Sequence, residues 1–447
     1  MDLIKGKIKG FKLNPPRVLA LGFASLILFG GILLNLPIAT QNGQSIGFIN
    51  ALFTSASAVC VTGLVVVNTG EFWSFFGQII IILLIQMGGL GFMTMATIGA
   101  LIIGKKITLK ERLIIKEQLN QETMSGLVKL TKYVILSTFA IEFIGALLLS
   151  TRFIPIYGWS KGTYFSIFHA ISAFCNAGFD LTGDSIAPFV GDFTINMTIS
   201  ALIILGGLGF TVYIDISRQR SFRKFHLHTK IVLTITGLLL VIGMVVFLLI
   251  EYNNPFTLRT LSTSEKLISS FFQSVVPRTA GFYSVNLAGL YDTTVFFMII
   301  LMFIGGSPGS TGGGIKTTTF GTLMLTTISV IKGEKDVVAY RKRISNDIIN
   351  RSLAIATIGI IMVIGVSFVL TVTESATFLD VLFETTSAFA TVGLTRGITP
   401  NLTDFGKIVL TLTMYAGRVG PLTMAFAFAK QNAKKGYTYS DGNIMVG

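Results

Sequence analysis

One four-residue pattern occurs four times along this chain: Val61-Thr62-Gly63-Leu64, Asn176-Ala177-Gly178-Phe179, Thr279-Ala280-Gly281-Phe282 and Thr391-Val392-Gly393-Leu394. Each copy ends an apolar stretch of about ten to fourteen residues, near 48–60, 163–175, 265–276 and 377–390, too short for the ~20 residues of a spanning helix. The copies share more than the tetrapeptide. A phenylalanine precedes each signature glycine by ten residues (Phe53, Phe168, Phe271, Phe383). A Ser-Ala pair stands at one offset in three copies (Ser57-Ala58, Ser172-Ala173, Ser387-Ala388), with Val275-Val276 in the third. A glycine cluster follows each signature by 23 to 28 residues: Gly88-Gly89-Leu90-Gly91, Gly206-Gly207-Leu208-Gly209, Gly305-Gly306-Ser307-Pro308-Gly309 and Ala416-Gly417-Arg418-Val419-Gly420. Several offsets kept in register identify an internal repeat, so the fold must be assembled from four related units.

The solvent for those units follows from composition. Of 447 residues 51% are hydrophobic and 13% charged, and the long apolar runs exceed what a soluble core can bury. The expected fold is an all-α integral membrane protein with four helix–pore loop–helix repeats in pseudo-fourfold arrangement around one central pore. Eight transmembrane helices are expected, the first of each unit near 17–37, 131–151, 230–251 and 351–373. The second helices should run near 74–101, 193–216, 293–330 and 405–429. The expected organisation is a basic tail (1–16), repeat 1 (17–101), repeat 2 (128–217), repeat 3 (228–330), repeat 4 (350–430) and a C-terminal tail (431–447), with no soluble domain.

The Lys and Arg residues behind the net charge of +14 cluster in five stretches: the N-terminal tail, 105–132, 218–230, 332–351 and the tail after Lys430. An even number of spans separates them, so they share one side, which the positive-inside rule makes cytoplasmic. Both termini are then cytoplasmic, and the basic charge sets topology rather than binding nucleic acid. The other side carries Glu71, Asp180, Asp184, Asp192, Glu251, Glu265, Asp292, Glu374, Asp380, Glu384 and Asp404, an acidic face that concentrates cations. Cys60 and Cys175 give no disulfide framework or metal spacing, and read as buried thiols. His169, His226 and His228 are too scattered for a metal site; His169 reads as a structural hydrogen-bonding residue. The apolar run after Val18 reads as a first spanning helix rather than a cleaved signal. Glu142 is nearly alone as an acid within the bilayer, so an enzyme is not expected.

A cation entering a bilayer must exchange its water for protein oxygens, and backbone carbonyls supply them without the trapping a carboxylate imposes. Aiming successive carbonyls inward, in four segments that meet on one axis, requires backbone that glycine adopts most readily. The expected ion-binding residues are Val61, Thr62 and Gly63; Asn176, Ala177 and Gly178; Thr279, Ala280 and Gly281; and Thr391, Val392 and Gly393. Non-helical backbone at this depth must be buried in protein or line a wet cavity. The negative ends of the four short helices would face the ion.

Residues Gly305, Gly306, Ser307, Pro308, Gly309, Ser310, Thr311, Gly312, Gly313 and Gly314 place six glycines and a proline in ten positions of an expected span. At ~1 kcal/mol per glycine and ~3 per proline relative to alanine, no continuous helix survives there. Ile315 between Gly314 and Lys316 spoils a phosphate-loop reading. A gate beneath the filter is preferred to a passive kink. Arg418 costs ~2.5 kcal/mol or more at mid-bilayer. It must face water, carbonyls or a carboxylate, and pairing with Glu142 or a loop carbonyl is the structural reading. Lys316 is read the same way, or as snorkelling.

With these features the chain resembles the Ktr/Trk/HKT superfamily of potassium transporters, most closely the membrane subunit of bacterial Ktr systems, over nearly its whole length. The resemblance implies potassium uptake through a gated, channel-like subunit of the plasma membrane, driven by the electrochemical gradient. It also implies a homodimer in the lipid bilayer, with the C-terminal tail at its interface, and a cytoplasmic ring of nucleotide-binding RCK subunits that carries the nucleotide. It assigns 305–314 to an intramembrane gating loop and points Arg418 into the pore, where it would repel cations or hold the gating loop through hydrogen bonds. Potassium is the expected ion, sodium a candidate activator, and no covalently bound cofactor is expected. Members that favour sodium tend to carry serine in the first loop, where this chain has Gly63. A sodium or ammonium conductor of the same architecture is the alternative. The absence of an extra N-terminal helix pair and the short tail ending at Gly447 are further Ktr-like features.

Overall fold

The computed structural model describes residues 15–91, 93–95, 97, 107–118, 126–428, 442 and 445. Most of the basic N-terminal tail and of the C-terminal tail lies outside these residues.

Among the described residues, sixteen helices have eight or more residues and are numbered in chain order. Four of them are long and apolar enough to cross a membrane: α1 (Pro15–Leu34), α5 (Leu127–Tyr157), α9 (Leu227–Glu251) and α13 (Asn346–Thr373). Each buries a narrow stripe of small, apolar or hydroxyl side chains, to which α5 adds Glu142 and α9 adds Glu251. In α13 the stripe is Ser352, Gly359, Val363, Ser367 and Leu370, while Leu353, Ile360, Ile361, Ile364, Phe368 and Val372 are exposed. A long helix whose outer face is apolar through its middle turns is solvated by lipid.

The four short stretches form helices α2 (Phe48–Val59), α6 (Trp159–Phe174), α10 (Thr263–Val275) and α14 (Phe378–Ala390). Their starts are written locally. Ser262 and Glu265 form a reciprocal capping box on α10, and the Ser262 backbone N–H holds the Glu265 carboxyl below its ordinary pKa. Thr377 accepts from the Asp380 N–H at the start of α14. Each short helix packs on the long helix of its own unit.

None of the second helices is continuous; the break at 305–314 in the third unit agrees with expectation, and those in the other three units do not. α3 (Phe75–Leu90) ends at Gly91 (φ +81°). α7 (Phe193–Leu208) breaks at Gly209 (φ +92°) before α8 (Phe210–Gln219), at a bend of 92°. α15 (Asp404–Val419) breaks at Gly420 (φ +93°) before α16 (Pro421–Phe428). In the third unit, α11 (Asp292–Phe303) and α12 (Thr317–Ile331) are separated by the glycine-rich segment. The last glycine of each repeated cluster in units one, two and four thus adopts a left-handed backbone that L-residues resist. A helix of 16 residues, as α3, α7 and α15 are, rises only ~24 Å. The remaining helix, α4 (Leu109–Gln118), lies in the second basic stretch. A further departure is a small antiparallel hairpin, Val338–Ala339 with Lys342–Arg343; Tyr340 and Arg341 at φ +49° and +62° make the turn that suits its twist.

The units close into a ring. α3 packs on α6 of the second unit, α7 on α10 of the third, α11 on α14 of the fourth, and α15 returns to α2 of the first. At the end of α9 the buried Glu251 ties the third unit together. It accepts from Asn254 Nδ2 (2.6 Å), Thr257 Oγ1 (2.6 Å), Tyr291 N (3.1 Å) and Thr294 Oγ1 (2.5 Å). Removing one partner of such a buried network costs ~3–5 kcal/mol. Glu251→Ala is expected to lower the thermal unfolding temperature of the detergent-purified protein markedly, and Glu251→Gln by less.

Candidate ion-coordination site

All four signatures share an unusual backbone. The first residue of each lies at positive φ (Val61 55°, Asn176 59°, Thr279 70°, Thr391 51°), and so does the glycine two residues on (Gly63 94°, Gly178 70°, Gly281 72°, Gly393 91°). The residue between them turns its N–H back to the short helix: Thr62 to Ser57 O (2.8 Å), Ala177 to Ser172 O (2.7 Å), Ala280 to Val276 O (3.0 Å) and Val392 to Ser387 O (2.8 Å). The repeated serine has a visible task. Ser57 Oγ and Ser387 Oγ accept from the Gly63 and Gly393 N–H groups at 3.0 Å, and Ser172 Oγ donates to Phe179 O at 2.7 Å. With the amides thus engaged, the carbonyls are left for the interior.

The four glycines meet in cyclic order. A Cβ on Gly63 would collide with the Ala177 carbonyl oxygen, and one on Gly393 with that of Thr62; on Gly178 it would stand 2.9 Å from Ala280 O, and on Gly281 2.9 Å from Val392 O. Each glycine therefore faces the carbonyl of the middle residue in the next unit. Thr62, Ala177, Ala280 and Val392 present uncharged oxygens around a common centre, at the negative C-terminal ends of four short helices. Such a donor set suits a monovalent cation that must also leave. Among the described residues, no group of three or more histidines, cysteines or acids offers a metal site.

The glycine clusters that follow the signatures set the second helices against this ring. A Cβ on Gly88, Gly206 or Gly417 would collide with the carbonyl of Val59, Phe174 or Phe389, each four residues before the signature glycine of its own unit. In the third unit the segment 305–314 folds back on itself instead. Gly305 N donates to Ile315 O (2.9 Å) and Gly306 N to Gly313 O (3.3 Å), while Ser307 N and Thr311 N reach Gly207 O (2.9 Å) and Gly206 O (3.2 Å). Its tip touches the ring: Thr311 Oγ1 lies 3.2 Å from Phe174 O and 3.3 Å from Asn176 Oδ1. Gly312 and Gly313 leave no room for a side chain beside Thr279 Oγ1 and Thr391 Oγ1.

Two cations hold that tip. Arg418 donates to the carbonyls of Thr311 and Gly88, and to Gly89 O at 3.1 Å; Lys316 Nζ donates to Gly312 O at 2.6 Å. Of the expected partners for Arg418 the structure selects backbone carbonyls. Glu142 is engaged elsewhere, accepting from Gln86 Nε2 at 3.1 and 3.2 Å. Lys316 turns inward to the loop rather than snorkelling. His169 is structural as expected, with Nδ1 2.7 Å from Phe165 O and Nε2 accepting from Leu181 N at 3.4 Å. Cys60 and Cys175 are buried free thiols.

Two residues at the site escaped the sequence reading. Arg278, directly before the third signature, is buried with Nη2 3.2 Å from Thr236 Oγ1; its charge inside an apolar stretch was the available signal. Glu384, counted among the outer acids, is fully buried on α14.

The sequence matches the TrkH family, described as cation transport protein, over residues 22–437. This chain belongs to the TrkH cation transport protein family. It is similar, at 48% identity over the full length of both chains, to the Ktr system potassium uptake protein B of Bacillus subtilis. It is 44% identical, again over both full lengths, to the potassium/sodium uptake protein NtpJ of Enterococcus hirae. The crystal structure of the potassium transporter TrkH from Vibrio parahaemolyticus has the same fold, with a TM-score of 0.74 at 17% identity over 95% of this chain and 86% of that one. The protein is thus a multi-pass membrane cation transporter of the TrkH family.

Asn176 ties the second signature to the third, with Nδ2 3.3 Å from Arg278 O and 3.2 Å from Thr279 Oγ1. Asn176→Ala removes that link and sets an alanine at left-handed φ, a strain of ~1 kcal/mol. It is expected to weaken discrimination among monovalent cations while leaving the helical content intact, as read by tracer competition in liposomes and by circular dichroism.

Proposed function

We propose that this chain is the translocating subunit of a potassium uptake system. The four carbonyls of Thr62, Ala177, Ala280 and Val392 form its ion site, and the 305–314 loop forms its gate. The observation that carries this reading is the closed order in which each signature glycine faces the next unit's carbonyl, directly above a loop held by Arg418 and Lys316. The names of the relatives from B. subtilis and E. hirae supply the ion. Potassium moves down its electrochemical gradient, drawn by the membrane potential, and the neutral oxygens replace its water without binding it too tightly. A single ring is shorter than the stacked rings of a tetrameric potassium channel, so rejection of sodium is looser.

The flanking glycine-rich backbone and the two cations make the loop the movable part. Its hydrogen bonds run to carbonyls of the second unit, and Arg418 of the fourth unit bridges it to those of the first, so releasing it requires a coordinated shift of their second helices. In this reading the basic face carrying 218–230 and 332–351 is cytoplasmic, both termini lie there, two copies associate in the plasma membrane, and a cytoplasmic nucleotide-binding RCK ring drives the shift. That a relative is a component of a Ktr system supports a separate regulatory subunit. Sodium enters as an activator or as a second transported ion, a reading favoured by the potassium/sodium name of the E. hirae relative.

The test is flux into liposomes holding the purified full chain, comparing potassium with sodium and wild type with Gly281→Asp. Potassium-preferring flux lost in the variant supports the site. Flux indifferent to the substitution places the ion path elsewhere. Arg418→Ala is expected to raise potassium leak in the absence of any partner, and an unchanged leak in the folded variant removes Arg418 from the gate.

A further inference from the structure

The four short helices are not equivalent at one position. Nine residues before the signature glycine stand Thr54, His169, Phe272 and Glu384. Thr54 bonds back to its own helix, at 2.9 Å from Asn50 O, His169 receives the Leu181 amide, and Phe272 is apolar. Only the fourth unit places a carboxylate there, and that carboxylate is fully buried. Thr399 Oγ1 donates to Glu384 Oε1, and Thr395 Oγ1 lies 3.1 Å from Thr399 Oγ1. Glu384 Oε2 has no hydrogen-bond partner among the described residues.

A buried carboxylate with one oxygen unengaged is costly to keep unless something uses it. What Glu384 holds is the segment leaving the fourth signature. One turn earlier on α14, Asp380 accepts from Arg396 at 2.6 Å, so two acids on one helix face grip Arg396 and Thr399. The third unit secures its corresponding segment with neutral groups, Ser269 Oγ and Ser284 Oγ at 3.0 Å. The outer end of the fourth loop is thus held through two carboxylates from its own short helix.

We propose that Glu384 is a positioning residue for potassium selectivity: its buried carboxylate fixes the segment 394–399 through Thr399 and Thr395, and so fixes the Val392 carbonyl in the ring. A carbonyl that cannot advance toward the axis cannot close around the smaller, more strongly hydrated sodium ion. The negative charge behind the loop also favours any cation at the centre. This rests on the filter reading given above, and the experiment separates the two.

Potassium flux into liposomes is measured for the full-length chain over a range of potassium concentrations, with sodium as competitor. The variants are Glu384→Gln, Glu384→Ala, Thr399→Val and, as control for the filter itself, Gly281→Asp. Glu384→Gln keeps the shape and an acceptor for Thr399 but lacks the charge; it is expected to raise the half-saturating potassium concentration several-fold while sodium remains a poor competitor. Glu384→Ala and Thr399→Val lose the strap, and sodium is expected to become a several-fold better competitor in both. A residue that merely filled space would lower the yield of folded protein and the maximal flux without moving the sodium-to-potassium ratio. If Glu384→Ala does not fold, the near-isosteric Glu384→Gln and Thr399→Val decide alone. Wild-type competition and half-saturation in the folded variants, alongside flux abolished by Gly281→Asp, overturn the role of Glu384 and leave the filter standing. Flux that survives Gly281→Asp overturns both.

Discussion

Everything in this structure depends on bringing four backbone segments to one axis with only hydrogen atoms between them. A single Cβ at any signature glycine would meet the neighbour's carbonyl or Cα, so the closeness of the ring is a condition on covalent structure rather than on side-chain packing. Meeting it has consequences outward. The segments must leave the helical region abruptly, which requires left-handed residues at Val61, Asn176, Thr279 and Thr391; asparagine tolerates that conformation, whereas it is disfavoured for the three β-branched side chains. The cost, of order 1–3 kcal/mol at each site, persists only where the surroundings enforce it. Here the short helix, its serine and the second helix do so.

The same demand for close approach explains the second set of glycines. α3, α7 and α15 run directly along the last turn of their own short helices because Gly88, Gly206 and Gly417 let backbone lie on a carbonyl. Three units follow this rule and the third does not. Val275 replaces the serine, Pro277 and Arg278 precede the signature, and the second helix is interrupted by the loop. The departures are concentrated in the unit that supplies the gate of the proposed mechanism, which is where a functional site is expected to violate local rules.

Much of this was legible in the chain, because repetition multiplies weak signals. The four short helices fall within a few residues of where the sequence put them, and the glycine-rich segment lies against the first signature residues, as its composition and offset implied. The sequence announces the break at 305–314 but not the interruptions of the second helices in units one, two and four. A long apolar run records solvent preference and is blind to the sign of φ at Gly91, Gly209 or Gly420, even though the clusters containing them had been recognised. Arg418 was identified as costly, but its choice of carbonyls over Glu142 depends on how units one and three are juxtaposed, which no local pattern encodes. Glu384 was misjudged for a related reason: an acid near the outer end of a short helix looks solvated until the fourth post-signature segment is seen folded over it.

The order of contact around the ring, each second helix on the next short helix with α15 returning to α2, has a genetic corollary. Four quarters encoded in one reading frame can drift apart, whereas identical chains assembled around an axis repeat every change four times. A loop the size of 305–314 copied fourfold would fill the space beneath the ring completely. Written once, it occupies that space while the other quarters retain Gly88, Gly89 and Arg418 as its moorings. Continuity of the chain is thus what permits a lone obstruction in an otherwise symmetric path, and with it a division of labour between the quarter that blocks and those that restrain it.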